Sequence, residues 1–94
     1  PRGAGTCLSG GPTAAADTVV IDLARMHKVL HVATDDLYAV VQPGVVNLDL
    51  TTAVHHHGLH YAPDPSSQSV CTIGGNLAEN SGGPHCFKYG MTQD

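Results

Sequence analysis

The sequence predicts a small mixed fold of the α+β class with α/β-like layers, and three observations carry that prediction. Short β-branched runs of strand length recur between residues 19 and 42, one helix with visible punctuation follows them, and nine of the eleven glycines crowd into two clusters near the ends. Strands mixed with a helix in one short chain imply packed layers around a single core. With 94 residues the chain holds at most one small domain. A chain of this size buries only roughly 60 to 65% of the surface its unfolded form exposes. It is therefore expected to be the N-terminal part of a larger domain, residues 1–94 of it, an expectation that fits its opening on Pro1 and its stop at Asp94.

The elements follow in order. Val19-Val20-Ile21-Asp22-Leu23, Val29-Leu30-His31-Val32-Ala33 and Tyr38-Ala39-Val40-Val41-Gln42 read as three strands. Thr34-Asp35-Asp36-Leu37 is a short polar loop that suits an antiparallel hairpin between the last two, and Pro43-Gly44 ends the third with a turn. Asn47 is placed to cap a helix whose left-handed terminating residue is Gly58, with Leu50, Ala53 and Val54 on one face. His55, His56 and His57 fall at its carbonyl end, where cations and donors are favoured. Two prolines one residue apart, Pro63 and Pro65, make the segment from His60 to Ser69 irregular. Cys71 to Asn80 has room for a short helix interrupted by glycines.

Composition narrows the partners. The chain is 41% hydrophobic and 13% charged, which argues for a folded chain rather than charge-driven disorder. Four basic residues against eight acids give a net charge of −4, so the positive stripe that a nucleic-acid surface needs is missing. No apolar run approaches the ~20 residues of a membrane span. Cys7, Cys71 and Cys86 form no C-x-x-C pair and are odd in number, which fits reduced thiols, small apolar residues and a cytoplasmic setting.

Two glycine clusters far apart in sequence are suited to meet around one ligand that touches main chain. In the first, Arg2-Gly3-Ala4-Gly5-Thr6-Cys7-Leu8-Ser9-Gly10-Gly11, small residues leave amides exposed and Thr6 and Ser9 add hydroxyls, which makes an anion nest. Arg2 is the only nearby cation. No Gly-Lys-Ser or Gly-Lys-Thr follows, and the third glycine of a G-x-G-x-x-G fingerprint is replaced by Leu8, so neither standard nucleotide loop fits. Taken alone, the same stretch is equally a glycine-rich surface turn.

The second cluster, Cys71-Thr72-Ile73-Gly74-Gly75-Asn76-Leu77-Ala78-Glu79-Asn80-Ser81-Gly82-Gly83-Pro84-His85-Cys86-Phe87-Lys88-Tyr89-Gly90, is longer and more specific. RGAGTCLSGG, YAPDPSSQ and CTIGGNLAENSGGPHCFKYG together resemble the FAD-binding domain (PCMH type) of vanillyl-alcohol-oxidase type flavoproteins. Within them the chain is most similar to the flavin subunit of glycolate oxidase and the FAD-linked D-lactate dehydrogenases. The resemblance spans essentially all 94 residues. It implies a partial PCMH-type fold, with the rest of the FAD domain and a capping domain expected beyond this chain. It also implies noncovalently bound FAD and oxidation of a small 2-hydroxy acid by hydride transfer. An electron acceptor or partner subunits are implied too, with a cytoplasmic location as the expectation and membrane association through partner subunits as the alternative to it.

Carried over by position, Gly3, Ala4, Gly5, Thr6, Cys7, Leu8, Ser9 and Gly10 resemble the loop whose amides bind the FAD diphosphate. Pro63 and Asp64 match the segment running along the cofactor. Cys71, Thr72, Ile73, Gly74, Gly75 and Asn76 would pass the ribityl and ring region, with Ala78, Asn80 and Gly82 further along that wall. A flat ring and a polyol require close main-chain approach, which Gly74 and Gly75 allow, while Asn76 and Asn80 are candidate amide donors. The catalytic base and the substrate-binding cations are not visible in this chain.

Other readings of these residues are structural. Consecutive helical residues point about 100° apart, so His55, His56 and His57 do not face one ion, and they read as surface histidines. His85 and Cys86 are an adjacent pair with no second half-site, a poor geometry for zinc, and no metal is expected. No base is evident near Cys71 or Cys86 for nucleophilic chemistry. Asp64, between two prolines, is equally a turn-fixing residue, and Glu79 reads as a solvated helix residue.

Overall fold

Alternation of apolar residues closes the first unit of structure. In the computed structural model, which describes residues 1–94, β1 (Val29–Ala33) and β2 (Tyr38–Val41) pair antiparallel as the expected hairpin. Val32 opposite Ala39, and Val41 beside them, face inward. His31 and Tyr38 lie on the outer face with ring centroids 5.9 Å apart. A bulge between Val29 and His31 breaks the alternation and leaves Leu30 exposed. The connecting turn is closed by Leu37 at φ 57°.

Helix α1 (Asn47–Val54) supplies Leu50 and Val54, one turn apart, to a core completed by Val45. Val32, Ala39 and Val41 from the hairpin pack against it from one side, and Leu59, Tyr61 and Ile73 complete its lining. The chain then tightens into a 3-10 turn at His55–His57 and stops at Gly58, whose φ of 73° and N–H to the His55 carbonyl form the expected left-handed cap. One detail differs from expectation. The cap position is Val46, and Asn47 is the first residue inside the helix. Its N–H donates to the Cys71 carbonyl at 2.9 Å and its side chain is fully buried, because a second chain segment lies across this helix start.

That segment is joined to residues 43–48 by main-chain bonds. Val46 and Thr72 form an antiparallel bridge, Ile73 N–H donates to Val45 O at 2.8 Å, Gly74 N–H to Pro43 O at 2.8 Å, and Leu48 N–H to Gln68 O at 2.9 Å. A Cβ at Gly74 would lie 2.7 Å from Pro43 Cβ, so glycine permits the approach. Helix α2 (Ile73–Glu79) follows, capped by Thr72 Oγ1, which accepts from Gly75 N–H at 3.3 Å, and ended by Asn80 at φ 52°. A further single turn, α3 (Cys86–Tyr89), was not expected among these glycines and prolines and is closed by a Gly90 N–H to Cys86 O bond.

Val19–Leu23 does not form the expected strand. Only Asp22 pairs, in a parallel bridge with Arg2, through Arg2 N–H to Ile21 O at 2.8 Å and Leu23 N–H to Arg2 O at 3.0 Å. The glycine loop begins at the next residue, so the ladder has a single partner position. Val19 and Ile21 remain 84% and 60% exposed. The sheet is two-stranded, and only nine residues are buried. The core is the small wedge between hairpin and α1, and it serves as the platform for the two glycine-rich segments.

Candidate functional site

The two glycine clusters meet. A Cβ on Gly3 would collide with Thr72 Oγ1, so the first loop is packed directly on the cap of α2. Further along the loop, Ser9 Oγ donates to Glu79 Oε2 at 3.4 Å, and a Cβ on Gly11 would collide with Glu79 Oε1. Glu79, which read as a solvated helix residue, therefore ties the loop to α2. Cys7 Sγ accepts from Ser9 N–H at 3.3 Å, which tightens the turn.

Between these anchors the loop keeps its donors free. None of the backbone N–H groups from Gly3 through Leu8 donates within the chain. Gly5 at φ 73° and Gly10 at φ 85° hold the left-handed conformation that glycine adopts without strain. A Cβ at Gly5 would meet nothing within 4 Å, so the loop is open at that residue. Leu8 is fully exposed. Arg2 Nη2 lies 3.3 Å from Asp22 Oδ2, and the Ala24 N–H followed by Arg2 holds the Asp22 carboxyl below its usual range. The loop thus offers an anion main-chain amides, with its one cation already paired.

Beside the contact of Gly3 with Thr72 lies a cleft of about 330 Å³ lined by Gly3, Ala4, Ala24, His27, Gly44, Val46, Asp49, Val70 and Thr72. Gly3, Ala4 and Thr72 were singled out from the sequence. The other six were not, and of these only Gly44 carried a signal, as a turn. A Cβ there would strike the Leu23 and Met26 carbonyls.

The remaining candidate residues are held largely by contacts within the chain. Pro63 O accepts from Asn47 Nδ2 at 3.1 Å, and Asn47 Oδ1 accepts from Asn76 Nδ2 at 2.8 Å. Asn76 is therefore turned into the scaffold, 2% exposed. Asn80 is engaged as well, its Nδ2 with Met91 Sδ at 3.5 Å and its Oδ1 with Gln93 N–H at 3.1 Å. Both amides read as ligand donors instead bond within the chain. Cys71 is buried, Ile73, Gly74 and Gly75 are half-buried in the first turn of α2, and Ala78 is exposed on it. Gly82 lies against Cys86 and Met91. Asp64 is bound by His85, Nδ1 to Oδ2, and this hydrogen bond first of all holds its carboxyl below the usual carboxylate range. The sequence carried no signal for that pair.

His55, His56 and His57 lie exposed on their 3-10 turn, with the last two rings 3.8 Å apart. They do not converge with other ligating side chains. Cys7, Cys71 and Cys86 are free thiols. No helix is long and apolar enough to cross a membrane.

The model of the FAD binding domain family matches residues 1–94. The chain is 54% identical over 91 residues to the glycolate oxidase subunit GlcD of Escherichia coli (strain K12), covering 97% of this chain and 18% of that protein. It is 48% identical over 94 residues to the GlcD subunit of Bacillus subtilis (strain 168), covering all of this chain and 20% of that protein. It is 39% identical to a D-lactate dehydrogenase of Anaerostipes hadrus, again over 94 residues and 20% of that protein. Among solved structures, an alkyldihydroxyacetonephosphate synthase superposes with a TM-score of 0.74 at 33% identity, over 88% of this chain and 15% of that one. The chain thus spans about a fifth of the length of the curated relatives it matches.

Proposed function

The chain belongs to the FAD-binding domain family, whose cofactor is FAD, and on that premise we propose that it is the FAD-binding part of an oxidoreductase acting on a small 2-hydroxy acid such as glycolate or D-lactate. The observation that carries the reading is the row of unpaired amides from Gly3 to Leu8, seated on the Thr72 cap of α2. A diphosphate needs several converging donors, and fixed amides supply them without ordering long basic side chains. In this reading Gly3, Ala4, Gly5, Thr6, Cys7, Leu8, Ser9 and Gly10 bind the diphosphate. Pro63, Asp64, Cys71, Thr72, Ile73, Gly74, Gly75, Asn76, Ala78, Asn80 and Gly82 form the walls beside ribityl and ring.

FAD, when bound, would supply the two-electron acceptor for the α-carbon hydrogen of the hydroxy acid, which leaves as hydride while the hydroxyl gives up its proton to a base and the carbon becomes a carbonyl. This chain's own residues bind and orient. The unpaired amides from Gly3 to Leu8 would hold the diphosphate, and the buried Asn47–Asn76 pair ties α1 to α2. Attachment is noncovalent in this reading, and the protein works in the cytoplasm with an electron acceptor or partner subunits. The E. coli and B. subtilis relatives, named as subunits of glycolate oxidase, support the partner and substrate class.

The test is a visible absorption spectrum of the protein expressed from its complete reading frame, followed by anaerobic addition of glycolate and of D-lactate. A flavin spectrum bleached by either acid is the expected result and ranks the two substrates. A flavin that neither acid reduces would leave a binding module without this turnover. A colourless protein that takes up no added FAD would overturn the cofactor reading itself.

A further inference from the structure

Residues 60–65 and 82–90 run past each other without a single main-chain hydrogen bond between them. Contacts that involve side chains join them instead. His85 grips both oxygens of the Asp64 carboxylate, with Nδ1 on Oδ2 and its main-chain N–H donating to Oδ1 at 3.5 Å. Beside it Gly83 lies so close that a Cβ would collide with the Asp64 carbonyl. A second contact sets the His60 ring edge-on to Tyr89 at 6.3 Å, while Lys88 is turned over the Tyr89 ring, 4.9 Å from its centre. The His85 side chain is 66% exposed and that of Asp64 only 22%. An ordinary surface ion pair leaves both partners solvated and mobile, whereas this carboxylate is half-enclosed and held at two points by one residue.

We infer that the Asp64–His85 pair is a positioning clamp, which sets the separation between the Pro63–Asp64 wall and the Gly82–Gly83 turn and so the slot open to the ring system of FAD. The inference rests on the reading that these two segments line the cofactor. Glycine at 83 lets the segments touch, and the Nδ1–Oδ2 hydrogen bond, with the longer main-chain N–H contact to Oδ1 beside it, fixes how they touch, since a hydrogen bond to a carboxylate restricts angle as well as distance. His85 acts through Asp64 and is a positioning residue.

The test uses the protein from its complete reading frame, prepared as wild type, His85→Ala and His85→Asn. Three quantities are read: the FAD dissociation constant of the apoprotein by fluorescence titration, the visible flavin spectrum, and the thermal midpoint by circular dichroism. His85→Ala is expected to weaken FAD binding about tenfold, the scale of a lost charge-assisted hydrogen bond, and to shift the visible band. His85→Asn, whose side-chain amide can donate to Asp64 Oδ2 in place of Nδ1, is expected to restore both to near wild type. If wild type binds FAD and His85→Ala binds it equally well with an unchanged spectrum, the clamp is refuted, whether or not the midpoint falls. A wild-type protein that binds no FAD refutes the underlying reading as well, and is distinguished by its lack of colour before any variant is compared.

Discussion

Asn76 Nδ2 donates to Asn47 Oδ1 at 2.8 Å across 29 residues of sequence, and the two side chains are the most deeply buried large groups in the chain. Asn47 also donates to the Pro63 carbonyl, so one amide pair ties together α1, α2 and the proline-rich segment. Asn47→Ala orphans both the Asn76 amide and Pro63 O, whereas Asn76→Ala orphans only Asn47 Oδ1. The expected losses in urea unfolding are about 3 kcal/mol for the first and about 1–2 kcal/mol for the second. The double variant should fall short of their sum, because the two share one hydrogen bond. Equal losses for the two single variants would contradict the network.

Gly44 and Gly58 are predicted to fail for different reasons when replaced by alanine. At Gly44 the new Cβ meets two carbonyl oxygens of the backbone, those of Leu23 and Met26, which cannot rotate away, so Gly44→Ala is expected to lose about 3 kcal/mol as overpacking. At Gly58 nothing lies within 4 Å, but φ is 73°, so Gly58→Ala is expected to lose only about 1–2 kcal/mol of left-handed strain. Thermal melts of the two variants rank them, and a milder effect at Gly44 than at Gly58 would contradict the packing.

Acid should weaken the Asp64–His85 contact. The folded carboxyl titrates below its usual range because it accepts from His85. A depressed folded pKa means that the contribution is fully present above the unfolded carboxylate pKa and is lost as pH falls through the folded one. Wild type is therefore expected to be more stable than Asp64→Asn at neutral pH, with the difference closing only in strong acid below the usual carboxylate range. Melting curves of both proteins from neutral pH downward measure it, and a gap that persists unchanged in strong acid would sink the assignment.

Gly5 should matter to ligand more than to fold. It has open space around it and φ 73°, so Gly5→Ala is expected to lose about 1–2 kcal/mol of stability from conformation alone. The strain falls on the segment whose N–H groups from Gly3 through Leu8 have no partner within the chain, and FAD affinity is expected to fall by about tenfold as the loop shifts. Fluorescence titration of the apoprotein reads this directly. An unchanged affinity would place the diphosphate elsewhere.

Thr72 joins the two glycine segments, as the cap of α2 and the side chain beneath Gly3. Thr72→Ser keeps the capping oxygen and is expected to leave stability within about 0.5 kcal/mol, while Thr72→Ala is expected to lose about 1 kcal/mol. Urea titration of the pair separates cap from methyl packing.

Much of this was legible locally. The hairpin from Val29 to Val41, the left-handed stop at Gly58 and the irregular run around Pro63 follow from residue types acting over a few positions, where periodicity and turn geometry dominate. The same is true of the first glycine loop, whose composition already offered bare amides. Where prediction and structure part, the cause lies in distant segments. Val19–Leu23 has β-branched residues in strand order, yet a strand needs a neighbour, and here a single residue, Arg2, supplies one. Asn47 is a good cap by type, yet the Cys71 carbonyl takes its N–H and Asn76 its side chain.

By itself, then, the sequence determined the hairpin, the central helix, the amide-rich loop and membership of the FAD-binding domain family. Tertiary structure alone decided that Gly3 rests on Thr72, that Glu79 holds Ser9, that Asn76 faces inward and that His85 grips Asp64. Local conformation depends on each residue and its near neighbours, whereas a polar side chain's partner is whichever complementary group the packed chain brings within about 3 Å of it.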